Sequence, residues 1–386
     1  MKISILLPYK ENFSSKYAGA VSLFVKDTTI NSKYKKSIYV FGHTKYKSTL
    51  LKNYINLDIK KNILQSNNKI YVEKFIEHEK SNPSDLIEIH NRPNYVKFLS
   101  QNTNSKLILY FHNDPLTMNG SRSLSERRDL LKKTHKLVFN SKWSRDRFLQ
   151  SFNKFEIPED KLNVIYQSSK KVKINFNKKK KIISFVGKLN SAKGYDLFGS
   201  AILKILDKYK DWKAIVIGDE PREKLTFKHK NLKILGFKPH KIVLNYFNVV
   251  SISVVCSRWD EPFGRTSLEA SSRGCALIIS NKGGLPETIT DGIILNELLY
   301  VVDLSLASRK QNNTLPTVTI RFKIIFLCSF HAFMAPCSTV EKYTSPKSTK
   351  PLSIFFIPCI TAPFSDVITS RSVFNIPSSI ELIQFE

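Results

Sequence analysis

Two carboxylates, Glu261 and Glu269, stand eight positions apart with Gly264 between them, in the stretch Glu261-Pro-Phe-Gly-Arg-Thr-Ser-Leu-Glu269. An apolar run, Val249 to Cys256, leads in as a strand, and Thr266 to Arg273 follows with a helical pattern. Backbone amides at such a strand–turn–helix junction attract phosphate. Carboxylates accept hydrogen bonds from sugar hydroxyls. The combination suits a nucleotide-sugar better than either half alone. By themselves, two carboxylates also fit a glycosidase, and each also fits a bland role on a turn or a solvated helix face.

Upstream stands Phe185-Val-Gly187-Lys188-Leu-Asn-Ser-Ala-Lys193-Gly194, a strand running into Gly and Lys with a second Lys five residues on. Two ammonium groups over a strand end can clamp a diphosphate and stabilise the charge that develops as it leaves. Alone, the pair also fits a solvated helix start. Downstream, Ala276-Leu-Ile-Ile-Ser280 leads into Gly283-Gly284-Leu-Pro286-Glu287, another strand followed by a glycine-rich turn.

These residues need a scaffold, and the apolar pattern supplies one. Short runs fit strands at Ile3–Leu7, Ser37–Phe41, Leu86–Ile89, Leu107–Phe111 and Leu137–Phe139. A second set follows at Ile182–Val186, Ala214–Ile217, Leu232–Leu235, Ser251–Val255 and Ala276–Ile279. Helical periodicity lies between them, at Ser123–Thr134, Ser144–Ser151, Gly194–Tyr209, His240–Phe247 and Ser267–Arg273. The alternation predicts parallel sheets covered on both faces, an α/β chain of two doubly wound domains, 1–175 and 176–303. In such sheets ligands lie beyond the carboxyl ends of the strands, where nearly all these motifs fall.

The formal charge of +29 is the compositional outlier. It points to an anionic partner, such as an acidic membrane face or a phosphorylated substrate, or to lysines dispersed over solvated surfaces. No aromatic-basic motif accompanies it, which argues against nucleic acid. The Lys178–Lys181 cluster reads as a linker before a strand. Five cysteines without a CxxC pair give no disulfide framework or zinc signature. The opening Met1–Pro8 is too short an apolar run for a signal peptide, and no run reaches the ~18 apolar residues of a membrane span. Residues 304–386 differ in kind: they hold seven of the 16 prolines and three of the five cysteines. We read this tail as foreign to the fold, as from a misjoined reading frame; the other reading is a β-rich or loose tail.

Gly187-Lys188…Lys193-Gly194, the Glu261–Glu269 pair and Gly283-Gly284-Leu-Pro286-Glu287 together resemble, in order and distance, the signature of family-4, group 1 type glycosyltransferases with the GT-B fold. The resemblance covers roughly residues 1–303. It implies two Rossmann-like domains facing across a cleft. It implies transfer of a sugar, with retention at the anomeric carbon, from a nucleoside-diphosphate sugar to a glycan or lipid-linked acceptor in cell-surface polysaccharide or lipopolysaccharide synthesis. No metal and no cofactor beyond the nucleotide-sugar co-substrate is implied.

Residue by residue, the resemblance implies that Glu269 binds the ribose hydroxyls and Glu261 faces the donor sugar. Amides around Phe263, Gly264 and Arg265 meet sugar and phosphates, with Gly187 in the strand-end turn, and Lys188 and Lys193 neutralise the diphosphate. Lys188 stands where the family usually has Arg, which keeps the charge and loses the bidentate fork. Gly236-Phe237 approaches the base. In the first half, Gly19 marks the loop near the phosphates, and His112, in Leu109-Tyr-Phe-His112-Asn113-Asp114, lies beside the donor sugar. Arg92, in His90-Asn91-Arg92-Pro93, could meet an anionic acceptor. Asn140-Ser141 is explained by helix capping. The expected location is cytoplasmic, with peripheral contact at an anionic inner membrane face. The alternative reading is a catalytically impaired remnant that binds sugar-nucleotide but lacks the closing C-terminal helix.

Overall fold

The computed structural model describes residues 1–59, 65–170 and 172–296, and the backbone of three further strands. Residues 1–298 form one compact unit and 299–386 another. In the first unit, seven strands build one parallel sheet: β1 (Ile3–Leu6), β2 (Ile38–Gly42), β3 (Tyr54–Asn56), β4 (Leu86–His90), β5 (Lys106–Phe111), β6 (Lys136–Phe139) and β7 (Leu162–Val164). Their order is β3-β2-β1-β4-β5-β6-β7. The helices between them are α1 (Ala20–Asn31), α2 (Asn67–Ser81), α3 (Pro93–Asn102), α4 (Leu124–Lys133) and α5 (Lys142–Leu149). Strands buried on both faces read as continuous apolar runs, and Leu6, Phe41, Ile89, Leu109 and Phe139 are essentially inaccessible.

A second parallel sheet repeats the plan with β8 (Lys180–Val186), β9 (Lys213–Ile217), β10 (Leu232–Ile234), β11 (Val250–Val255), β12 (Ala276–Ser280) and β13 (Ile293–Leu295). The order is β10-β9-β8-β11-β12-β13, with α6 (Tyr195–Lys208), α7 (His240–Phe247) and α8 (Arg265–Ser271) connecting strands. Both sheets are doubly wound, as the alternation predicted.

Some local expectations change. Lys180 and Lys181 belong to β8, so only the first half of the lysine cluster precedes the strand. Lys179 turns inward and donates to the carbonyls of Phe247 and Val250, both at 2.8 Å. In the other unit, β14 (Val302–Ser308), β15 (Val318–Ile324) and β16 (Arg371–Ser372) pair antiparallel. Apart from these strands, the expectation that 304–386 is foreign to the fold lies outside the described residues.

Candidate functional site

Each sheet reverses its strand order once, at β1/β4 in the first and β8/β11 in the second. In doubly wound sheets the ligand crevice lies at the carboxyl ends of the strands at such a point. The loop after β8 carries Gly187, Lys188 and Lys193, and the loop after β11 carries Glu261, Phe263 and Gly264. The two loops are tied by backbone, because the Arg258 amide donates to the Ala192 carbonyl at 3.0 Å. Lys193 Nζ thereby reaches Glu261 Oε1 at 2.5 Å, with the Trp259 ring 5.9 Å from the ammonium. Lys188, by contrast, stands exposed and forms no ion pair among the described residues.

The glycine-rich turn after β12 sets Glu261 from the other side. Glu261 and Gly283 form a parallel β-bridge, and the Gly284 amide donates to the Glu261 carbonyl at 2.7 Å. Gly283 has φ of +61°, and a Cβ there would lie 2.2 Å from that carbonyl oxygen. The third motif is therefore a buttress for the first carboxylate, and only glycine fits it.

Glu269 lies on α8, buried to 5% exposure. Its Oε1 takes two hydrogen bonds, from Arg265 Nε at 2.6 Å and from His240 Nε2 at 2.8 Å. Burial alone would push this carboxyl up. The His240 hydrogen bond and the Arg265 charge outweigh burial and hold it below the ordinary carboxylate value. Arg265 was singled out for its amide, but its side chain is the more informative part. Its Nη2 crosses to Asp27 Oδ2 on α1, 2.9 Å away.

Other contacts also link the two halves. Ser141, the N-cap of α5, donates to the Pro262 carbonyl at 2.6 Å, so capping is not its whole role. Glu287 accepts from the Lys142 and Trp143 amides at 2.7 and 2.9 Å and from the Tyr166 hydroxyl at 2.9 Å. Phe237 is exposed and stacks with Tyr17, ring centroids 6.0 Å apart, beside Gly236 at φ +65°.

His112 follows β5 in a turn pinned from both sides. Asn91, in the left-handed region at φ 58°, accepts from the amides of His112 and Asn113, both at 3.1 Å. Asn140 donates to the His112 carbonyl at 3.1 Å. The imidazole is buried, 2.9 Å from His90 Nδ1, with Phe24 edge-on. Burial, then His90 and Arg265, hold its pKa well below the ordinary value, so the ring is neutral. Gly19 is the N-cap of α1. The Ser22 amide in the first turn of that helix is taken by Glu11 at 3.0 Å, a carboxylate where the resemblance implies phosphate.

Comparison with known proteins bears on the fold and the family. Residues 167–303 match the model of the family Glycosyl transferases group 1. Residues 167–303 form a group 1 glycosyl transferase domain. It is 24% identical over 251 residues to the putative glycosyltransferase YtcC of Bacillus subtilis (strain 168), covering 57% of this chain and 61% of that protein. It is 32% identical over 120 residues to 2-deoxystreptamine N-acetyl-D-glucosaminyltransferase of Niallia circulans, covering 29% of this chain and 31% of that protein. The chain thus spans less than two thirds of either relative. Among solved structures, Anabaena Alr3699/HepE in complex with UDP-glucose superposes with a TM-score of 0.57 at 17% identity, over 77% of this chain and 87% of that one. The lipopolysaccharide outer core galactosyltransferase WaaB does so with a TM-score of 0.53 at 16% identity, over 76% and 85%. The fold is GT-B, two Rossmann-like domains facing across a cleft.

Of the residues singled out from the sequence, the structure brings Lys193, Glu261 and Gly283 into contact, with Glu269 on the helix that follows. Reasoning from motifs missed Asp27, His240 and the cross-cleft bonds of Ser141 and Glu287. His240 had a signal, since it opens a periodic helix after Pro239. Asp27 had none, because its partner lies 238 positions away.

Proposed function

We propose that the chain is a retaining glycosyltransferase that moves a sugar from a nucleoside-diphosphate sugar to a glycan or lipid-linked acceptor in cell-surface polysaccharide synthesis. The observation that carries this reading is the pairing of Lys193 with Glu261 at the β8/β11 switch point, one short helix away from the buried Glu269. Glu269 would accept the ribose hydroxyls, and Glu261 would face the sugar. Lys193, with Lys188 at the rim, would neutralise the diphosphate as it leaves. Neutral His112, fixed by Asn91 and Asn140, would line the donor-sugar end. With the acceptor hydroxyl held close, stabilising the leaving group does most of the work, and no protein nucleophile is required.

Two named relatives support the choice of substrates. One fold neighbour is bound to UDP-glucose, and another is a lipopolysaccharide galactosyltransferase. The charge of +29 supports peripheral contact with an anionic membrane face. Among the described residues no helix is long and apolar enough to cross a membrane.

The test is a panel of nucleotide-sugars, UDP-glucose first, read by thermal shift and by donor hydrolysis. Stabilisation with turnover, both lost in Glu269→Ala, is expected. Stabilisation without turnover, even with acceptors present, would mark an impaired remnant. Binding to none of the panel would sink the proposal.

A further inference from the structure

Arg265 uses its guanidinium in an unusual division. The side-on edge of an arginine, Nε with Nη2, is the pair that engages both oxygens of one carboxylate. Here that edge is split: Nε goes to Glu269 Oε1 at 2.6 Å, and Nη2 goes to Asp27 Oδ2 at 2.9 Å. His240 also uses Oε1 of Glu269. Both cations therefore sit on one oxygen, and neither uses Oε2. Arg265 and Glu269 are well buried, with side chains 12% and 7% exposed, while Asp27 is 34% exposed. A buried guanidinium beside a buried carboxylate forks onto it unless a second acceptor takes one arm.

We propose that Asp27 is a positioning residue for the donor. Resting on the glycosyltransferase reading above, it holds Arg265 Nη2 away from Glu269 and so keeps Oε2 free for the ribose hydroxyls. Asp27 belongs to α1 in the first Rossmann-like domain, and Arg265 and Glu269 belong to α8 in the second. The ribose carboxylate is thus set for binding only while α1 lies against α8. When the contact opens, the arginine closes over its own carboxylate. This gives the cleft a link between closure and donor affinity that neither lobe carries alone.

The experiment uses full-length protein and UDP-glucose, extended to the other nucleotide-sugars of the panel, with calorimetric Kd and crystal structures. Asp27→Asn should weaken donor binding about tenfold, which is one displaced hydrogen-bonding group. Asp27→Glu should bind within about threefold of wild type. The deciding variant is Asp27→Asn with Arg265→Lys, because lysine is a point charge that cannot fork. It should recover most of the affinity lost in Asp27→Asn. Unchanged affinity in Asp27→Asn overturns the proposal, and so does a double variant weaker than either single one, which would make Asp27 merely structural. Should wild type bind no nucleotide-sugar, the functional reading fails instead. The crystal structure of Asp27→Asn then still decides the carboxylate claim: Arg265 Nη2 on Glu269 Oε2 supports it, and Nη2 elsewhere refutes it.

Discussion

At the scale of single residues, the two lysines of the loop after β8 are not equals. Lys193 is half-buried and paired with a carboxylate that is itself 9% exposed. Lys188 is exposed. A charge in a water-poor cleft acts on a leaving diphosphate with little screening, whereas an exposed one is screened by solvent and salt. Lys193→Met should therefore lower kcat by about 100–1000-fold, the range seen when one preorganised donor to a developing anion is removed. It should also lower the melting temperature, because Glu261 loses its cation. Lys188→Met should cost roughly tenfold and leave stability unchanged. Steady-state kinetics and calorimetry on both variants check the ranking, and a larger kcat loss in Lys188→Met would reverse the assignment.

At the scale of elements, β4 carries the groups that tie pH to stability. Burial pushes the Glu88 carboxyl up from 4.5 to about 7, and lowers His90 from 6.5 to about 3. Between pH 4.5 and 7 the folded state binds more protons at Glu88 than the unfolded state does. Stability from this group therefore falls as pH rises through that window. His90 acts in the opposite sense, losing stability as pH falls from 6.5 toward 3, and it is present in both proteins of a Glu88→Gln comparison. Melting temperatures of the two should agree near pH 4.5, and Glu88→Gln should become the more stable as pH approaches 7.5. A difference that does not grow with pH would show that Glu88 is not protonated in the folded state. The same element shows what sequence can carry. Leu86, Ile87 and Ile89 made β4 legible despite Glu88, and continuous apolar runs did so for β9 and β12, because burial on both faces demands them. The edge strands β3, β7 and β13 were missed, being three residues each with partly exposed faces. Helix α1 was missed because Ala-Val-Ser-Leu-Phe-Val has a strand's composition and its N-cap, Gly19, makes no side-chain capping bond. The site was legible wherever both partners lay in motifs of the same domain, as with Glu261 and Gly283. It was silent wherever a partner came from the other Rossmann-like domain, as with Asp27 and Ser141.

At the scale of the molecule, the cleft is held at two places with different chemistry. Near Glu269 the link is the Asp27–Arg265 ion pair, which salt weakens. Around α5 the link is a set of aligned hydrogen bonds. Ser141 donates to Pro262, and Glu287 accepts from two α5 amides and from Tyr166, whose ring stacks on Phe263 with centroids 6.0 Å apart. Gly284 makes this approach feasible, since a Cβ there would lie 2.8 Å from Ser141 Oγ. A carboxylate on the first amides of a helix satisfies orphan donors and opposes the helix dipole, so Glu287 acts as a cap delivered from the other domain. Removing it leaves those amides and the Tyr166 hydroxyl without their partner, at a cost of about 1–3 kcal/mol. For a unit of this size that is a drop of roughly 2–6 °C in melting temperature. Glu287 makes none of the contacts proposed for the donor, so donor Kd in Glu287→Ala should stay within about threefold of wild type while kcat falls, as expected when cleft geometry rather than binding is disturbed. Calorimetry with donor titration and turnover separates the two effects. An unchanged melting temperature would show that the α5 contact is not a fixed point of the cleft, and a donor Kd that rises in step with the loss of kcat would make Glu287 part of the donor site instead.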